Sequence, residues 1–434
     1  MLFVLTLYKL SYFFKKKFTS NPKETDPMLP QTITAASTGA STTSRFACSS
    51  SKASVLKSGA TALLSIAALL LSATSAQAQS GSATWTGAVS GDYFDAGNWA
   101  SGSWPTGNAT FSGTTNTTVT HTAAEGESPY VYGFIFNNTA VGEAFTIGGT
   151  QKFNWGGDGI TTAAATGLIT DMIENNIVLV GGNVLQKTKA VTIGANHNLI
   201  LSGVISGGGS EFTLTKAGAG VLILSGANTF TVPITVNAGK LQLGNGGAGG
   251  SLAPANAITV ASGATFSINQ SDTVTQGTDF SAAAIAGSGT FAVEGGATVV
   301  LTNTASFDDG VSVSVASDSF LNLDFTGTDV VAGIDLGAGP VTGEWGATGS
   351  GASNVSARIT GTGTLRVSQN ITWDASDDSD WTGPSDTTSW STATFFDGDS
   401  VSFGATGAGT VTIIGAVQTS GVTVDSASDY TFTG

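Results

Sequence analysis

Apolar residues in this chain recur at every second position in short runs, without the three-to-four spacing of a helix. Residues 212–215 (FTLT), 221–225 (VLILS), 234–237 (ITVN) and 240–244 (KLQLG) show the pattern most clearly. Alternation of Leu, Ile and Val with Thr, Ser and Asn puts one face of each run in a core and the other in water. Further runs at 177–180, 191–193, 198–202, 258–260, 265–268, 290–293, 298–301, 311–315 and 320–325 repeat it, with Gly or Asn at most breaks. The best helical candidate is residues 168–175, which is short. The chain is therefore expected to be all-β. Strands this short, with so little between them, suit a right-handed parallel β-helix, a ribbon that coils and stacks on itself. A row of tandem antiparallel β-sandwiches has the same period-2 signature and stays open at this point. At roughly 22–26 residues per coil, the body gives about 14–16 coils, each about 4.8 Å above the last.

Composition agrees with a β-rich exported chain. Charged residues are only 10%, against roughly 25% in ordinary globular proteins. Gly contributes 59 of 434 residues, which favours turns over helices. Charge is unevenly placed: eight of the 15 basic residues but only two of the 30 acidic ones precede Gln79. An acidic body argues against nucleic acid, whose phosphates need Lys and Arg, and against docking on anionic lipid. The single cysteine, Cys48, also precedes Gln79. The body then has no disulfide, no thiol nucleophile and no Cys-bearing zinc site.

The N-terminal part reads as targeting sequence. Residues 60–73 (ATALLSIAALLLSA) are apolar, follow Arg45, Lys52 and Lys57, and lead into Ala76-Gln77-Ala78. Basic, apolar and A-x-A segments in that order predict a signal peptide over 60–78, cleaved after Ala78. The run is shorter than the roughly 20 residues a membrane span requires. Residues 1–59 form an extended N-region, with Met28 as a candidate start and 1–18 as a short apolar anchor in the alternative. Cys48 lies before the apolar run, which is the wrong side for lipidation.

A long repeat organises the body. Thr84-Trp85 opens a Trp-rich head and Thr372-Trp373 opens a second. Phe145-Thr146-Ile147-Gly148 in the first copy has its counterpart in Tyr430-Thr431-Phe432-Thr433-Gly434. The expected divisions are a Trp-rich head with first strands at 79–150, a β-helix at 151–369, and the start of a second, truncated module at 370–434. The stop just before the next strand run is expected to mark an incomplete chain.

Residues 212–244 also resemble the autotransporter-associated β-strand repeat. The resemblance rests on Leu214-Thr215-Lys216, Gly218, Gly220, Leu222, Leu224-Ser225-Gly226, Asn228-Thr229, Thr235, Val236, Ala238-Gly239, Leu241 and Leu243-Gly244. Residues 322–367 are similar to the closing part of such modules. The resemblance implies a bacterial β-helical passenger, exported to the extracellular or outer-membrane-associated cell surface, with a structural or adhesive role and no catalysis. Its partners would be surface glycans or the surfaces of host or neighbouring cells. Membrane contact would come only through a C-terminal barrel or anchor beyond Gly434.

The residues offer little chemistry. His121 and His197 are the only histidines, far apart, and read as surface or loop positions. Asp374, Asp377, Asp378 and Asp380 could supply oxygen ligands to calcium, but without EF-hand or β-roll spacing; turn formation accounts for them. No cofactor is expected. Gly398-Asp399-Ser400 is loosely similar to an esterase block, but no histidine follows it. A polysaccharide lyase or hydrolase would draw its acids from Asp308, Asp309, Asp324, Asp329 and Asp335. Trp85, Trp99, Trp104, Trp373, Trp381 and Trp390 could face a sugar ligand, in a carbohydrate-binding alternative, although indoles more often anchor packing.

Overall fold

A computed structural model describes residues 29–37, 40–48, 81–122, 130–181, 188–209, 211–375, 378–383, 385–391 and 394–434. The leader expected at 60–78 lies outside them. Leu29–Ser37 and Ala40–Cys48 form an antiparallel two-stranded sheet of their own. The rest of the described chain, Gln77–Gly434, is a second unit and folds as a parallel β-solenoid of about 13 turns. That is slightly fewer than the 14–16 expected, because the coils vary in length. Val221 lies over Lys240, nineteen residues on, whereas Thr118 lies over Thr146, twenty-eight residues on. Pairing in the two long sheets is parallel except at the end of one, where Pro340–Val341 pairs antiparallel with Gly333–Asp335, and this excludes the antiparallel sandwiches.

Two eleven-stranded sheets form the walls. One begins at Ala83–Thr84 and passes through Asn108–Phe111, Tyr130–Phe136, Phe153–Thr162, Thr188–Thr192, Thr213–Ala217 and Ile234–Val236. The other runs from Thr118–Thr120 through Ile169–Ile173, His197–Leu201, Val221–Leu224, Lys240–Leu243 and Thr265–Asn269 to Ser312–Val315 and beyond. A four-stranded parallel sheet from Thr273–Thr275 to Ile359–Gly361 adds a further face over the later coils.

The period-2 pattern is what makes the coil close. Inward positions stack into columns: Leu199, Leu222, Leu241, Phe266, Phe291, Val313 and Ile334 lie in register, one per coil. All are buried. Each contributes about 1.5–3 kcal/mol of burial, and one apolar column supplies what a globular core would. Outward Thr, Ser and Asn keep the opposite face hydrated. Glycines take the corners: Gly218 and Gly239 have φ of +75° and +65°, the left-handed region other residues avoid.

Residues 168–175 are not helical. Ile169–Ile173 is a strand whose residues 169, 171 and 173 all point inward. Its inward column contains an aspartate, which broke the apolar alternation and made the segment read as helical.

The ladder stops and restarts near residue 370. Thr364–Val367 belongs to a four-stranded sheet with Thr328–Val331 and Glu344–Gly346, whereas Asn370–Trp373 opens a separate three-stranded sheet with Ser400–Phe403 and Gly421–Val424. Ile371, Trp373, Trp381, Trp390, Phe395, Val401, Phe403 and Val411 form a core of their own there.

Candidate functional site

The 212–244 motif spends its polar residues inside the solenoid. Lys216 lies in an inward column, in register with Val191 below and Val236 above, and its side chain is buried. Its ammonium donates to the carbonyls of Ala217 (3.0 Å), Gly218 (2.8 Å) and, one coil on, Ala238 (3.0 Å). Three donors meet three acceptors. Burial pushes the amine down to about 8, so at neutral pH it stays charged. Asn228 is a second clamp. Its amide donates to Gly226 (2.8 Å) and Ser251 (3.0 Å), and its oxygen accepts from the Ile205 N–H (2.9 Å). One side chain thus ties three successive coils.

The Trp-rich heads are two copies of one arrangement. Trp85 bridges Trp99 as Trp373 bridges Trp390, both antiparallel, and each pair meets edge to face at 5.1 Å. Phe111 packs on the first pair and Phe403 on the second. Tyr93 stands where Trp381 stands. The indole N–H of Trp85 donates to Asn116 O (3.2 Å), and that of Trp373 to Gly407 O (3.1 Å). Trp85, Trp99, Trp104, Trp373, Trp381 and Trp390 are between 0% and 8% exposed, so a sugar could stack on them only if the heads opened.

Both histidines are interior, which corrects the surface assignment. His197 is 1% exposed. Its Nε2 lies 2.6 Å from Asp171 Oδ2 and its Nδ1 3.0 Å from Ala163 O. A carbonyl can only accept, so Nδ1 carries a hydrogen. Asp171 also accepts from Asn138 Nδ2 (2.9 Å) and from the Phe145 N–H (2.7 Å). The pair is a satisfied polar plug in the apolar column. His121 is also fully buried, in the first head among Tyr93, Phe94 and Phe153. Sequence spacing hid both residues, since a histidine within a period-2 run is taken as outward.

A cleft at the restart of the ladder is the best candidate for solvent-facing chemistry. Its volume is about 240 Å³, and it is lined by Thr304, Phe307, Asp309, Thr328, Asp329 and Asp397 among others. Of the acids singled out in the sequence, Asp309 and Asp329 meet here. Asp324 is exposed; Asp308 accepts from the Gly287 N–H (3.1 Å), and Asp335 from the N–H groups of Gly337 (2.8 Å) and Gly339 (3.1 Å). Burial pushes the Asp329 carboxyl up to about 8, against the opposing N–H bonds from Ser306 and Phe307. Burial, then the charges of Asp308, Asp397 and Asp399, also raises Asp309. Asp397 was missed, because it arrives from beyond the break in the ladder and nothing local marks it, and Asp399 stood out only within the Gly398-Asp399-Ser400 block, not as a neighbour of Asp309.

Asp399 is taken up by a buried ion pair. Its two oxygens accept from Arg366 Nη1 and Nη2, each at 2.8 Å, and also from the N–H groups of Gln369 (2.8 Å) and Phe396 (2.9 Å). The guanidinium lies 4.4 Å over the Phe396 ring. In the run beginning at Asp374, Asp378 accepts from Ser389 Oγ (2.8 Å) and the Asp380 N–H (3.0 Å), which is turn chemistry. Among the described residues no group of three or more His, Cys, Asp or Glu side chains is placed to hold a metal ion.

Comparison with known proteins fits the geometry. Residues 214–243 match the family model described as passenger-associated-transport-repeat. A stretch of 95 residues, 21% of this chain, is 34% identical to the Adhesin BmaC autotransporter of Brucella suis biovar 1 (strain 1330). The chain covers only 3% of that relative's length. No solved structure matches the chain. This chain thus carries an autotransporter-associated repeat of the passenger type, built into the wall of a parallel β-solenoid.

Proposed function

We propose that this chain is the passenger of an exported, surface-held protein, serving as a structural and adhesive stalk without catalysis of its own. The observation that carries the reading is how the repeat uses its polar residues. Lys216 and Asn228 are spent on neighbouring coils. A repeat fixed in this way sets length and register, since each coil contacts only its neighbours. Export by the leader at 60–78 and contact with glycans or with neighbouring cells belong to the same reading, as does the adhesin name of the relative. The test is binding of labelled chain from residue 79 onward to bacterial and animal cells and to a glycan array. Saturable binding, competed by unlabelled chain, is expected. Binding to none of these surfaces would remove the adhesive part.

A second reading, saccharide binding in the acidic cleft, is favoured by the convergence of Asp309, Asp329 and Asp397 with Thr304, Thr328 and Gln418. These are groups that hydrogen-bond sugar hydroxyls. Glycan binding lost in Asp397→Ala, with the circular dichroism unchanged, would support it. Release of reducing ends from a polysaccharide would instead make the cleft catalytic.

A further inference from the structure

We infer that the first Trp-rich head is an acid-responsive lock, in which protonation of His121 loosens the opening coils while the second head stays closed. The inference starts from a buried group whose hydrogen-bonding needs are unmet. His121 is 0% exposed, and neither ring nitrogen makes a hydrogen bond; the Tyr93 hydroxyl beside it makes none either. The ring stacks on Phe153 at 4.3 Å and meets Phe94 at 5.1 Å and Tyr93 at 5.7 Å. An apolar box of this kind tolerates a neutral imidazole and disfavours an imidazolium, which would bring two unpaired donors and a charge.

The internal repeat supplies a control. Asp92 bridges Thr120 in the first head as Asp380 pairs with Thr412 in the second. The residue that follows is His121 in one and Ile413 in the other. The second head therefore has the same architecture without a titratable group at this place.

The surroundings of His121 oppose protonation. From its own strand comes Thr120, and from the segment before it Asp92, Tyr93 and Phe94. The next coil brings Gly148, whose carbonyl accepts from the His121 N–H, together with Gln151, Lys152 and Phe153. Lys152 and, beyond Gly148, Glu174 are exposed. Burial holds the imidazole down at about 4, with the Gln151 backbone and the Asp92 charge pulling weakly the other way. Against an ordinary value near 6.5, this is about a 300-fold preference for the neutral ring. The folded value lies below the unfolded one. Stability of the head is therefore complete above about pH 6.5 and is lost progressively as pH falls towards 4.

The experiment is hydrogen exchange with peptide resolution on the full chain between pH 7.5 and 4.5, corrected for intrinsic exchange. Peptides covering 83–121 and 145–155 are expected to lose protection, by up to about 70-fold in opening equilibrium by pH 4.5, while 370–403 changes little. His121→Ile, which copies the second head, and His121→Phe should each abolish the difference. Unchanged protection of the first head at pH 4.5 would overturn the inference, as would an acid transition that persists in either variant. Should both variants fail to fold, imidazole NMR titration of the wild-type chain decides. Only two histidines are present, and finding both titrating with ordinary values near 6.5 overturns it.

Discussion

Asp399→Asn should uncouple the second module from the first. The Arg366–Asp399 pair sits where the β-ladder breaks, between the sheet holding Thr364–Val367 and the one opened by Asn370–Trp373. Its side chains are 5% and 0% exposed, so solvent screens it little. The bidentate pair of charge-assisted hydrogen bonds at 2.8 Å is broken in the variant, which loses the bond from Arg366 Nη2, worth about 1.5–3 kcal/mol, and the charge behind the other. Asparagine keeps the volume and can still accept from the Gln369 N–H. The cost therefore comes from the guanidinium, left buried against Phe396 without a counter-charge. Removing one partner of a buried pair typically costs about 3–5 kcal/mol, and the lower end applies here because the amide oxygen remains.

Because solenoid stability is a sum over neighbours, the loss should be local. Urea titration followed by hydrogen exchange should show residues 370–434 opening at lower denaturant, with coils 188–315 unmoved. Arg366→Met with Asp399→Leu should recover only part of the loss. That double variant removes the stranded charge but orphans the Gln369 and Phe396 N–H groups, at about 1–3 kcal/mol each. A change under about 1 kcal/mol in Asp399→Asn, or an equal loss across all coils, would refute the pair's role as the tie between modules.

Three other outcomes are expected. Lys216→Met orphans the Gly218 and Ala238 carbonyls, while Ala217 keeps the Ile193 N–H; relief of the buried charge offsets about 3 kcal/mol of that, leaving about 1–2 kcal/mol of destabilisation in urea melts. The wild type should also gain stability as pH rises from about 8, the folded value, towards the unfolded value of about 10.4, and the variant should not. His197→Ala strands Asp171 in the column and should cost about 3–5 kcal/mol, read as lowered thermal stability. Asp329→Asn should stabilise the cleft at pH 8: the wild-type carboxyl is raised from 3.8 to about 8, so its contribution is complete below about pH 4 and fades as pH rises to 8. Melting curves at pH 5 and pH 8 should converge in that variant.

The fold was legible because a solenoid repeats one simple rule. Leu222, Leu241 and Phe266 each announce an inward position by alternation, and the corner glycines announce the turns. The repetition also made the two heads visible, since Trp85 and Trp373 open the same arrangement 288 residues apart. The cleft was half legible. Asp309 and Asp329 stood out as acids in a nearly charge-free wall, but Asp397 arrives from the second module across a break in the ladder. No local pattern reports a contact made that way.

The misreadings share one physical cause. Period-2 reasoning assigns a residue to the core or to water by its chemistry, so a polar residue is read as outward. Lys216, Asp171, His197 and His121 all point inward. In a globular core each would cost several kcal/mol. A solenoid differs because every corner leaves backbone carbonyls and N–H groups that the flat ladder does not satisfy. A buried Lys or Asn reaching those groups replaces a penalty with a bond, and it fixes one coil against the next in a single register. An apolar column alone would allow neighbouring coils to slip by two residues and still bury Leu on Leu. Lys216 on the Ala238 carbonyl does not allow it. The polar positions inside the wall are therefore the part of the repeat that specifies register, while the Leu positions supply most of the burial. His121 is the exception, because nothing satisfies its ring nitrogens. That is why the acid response of the first head rests on it.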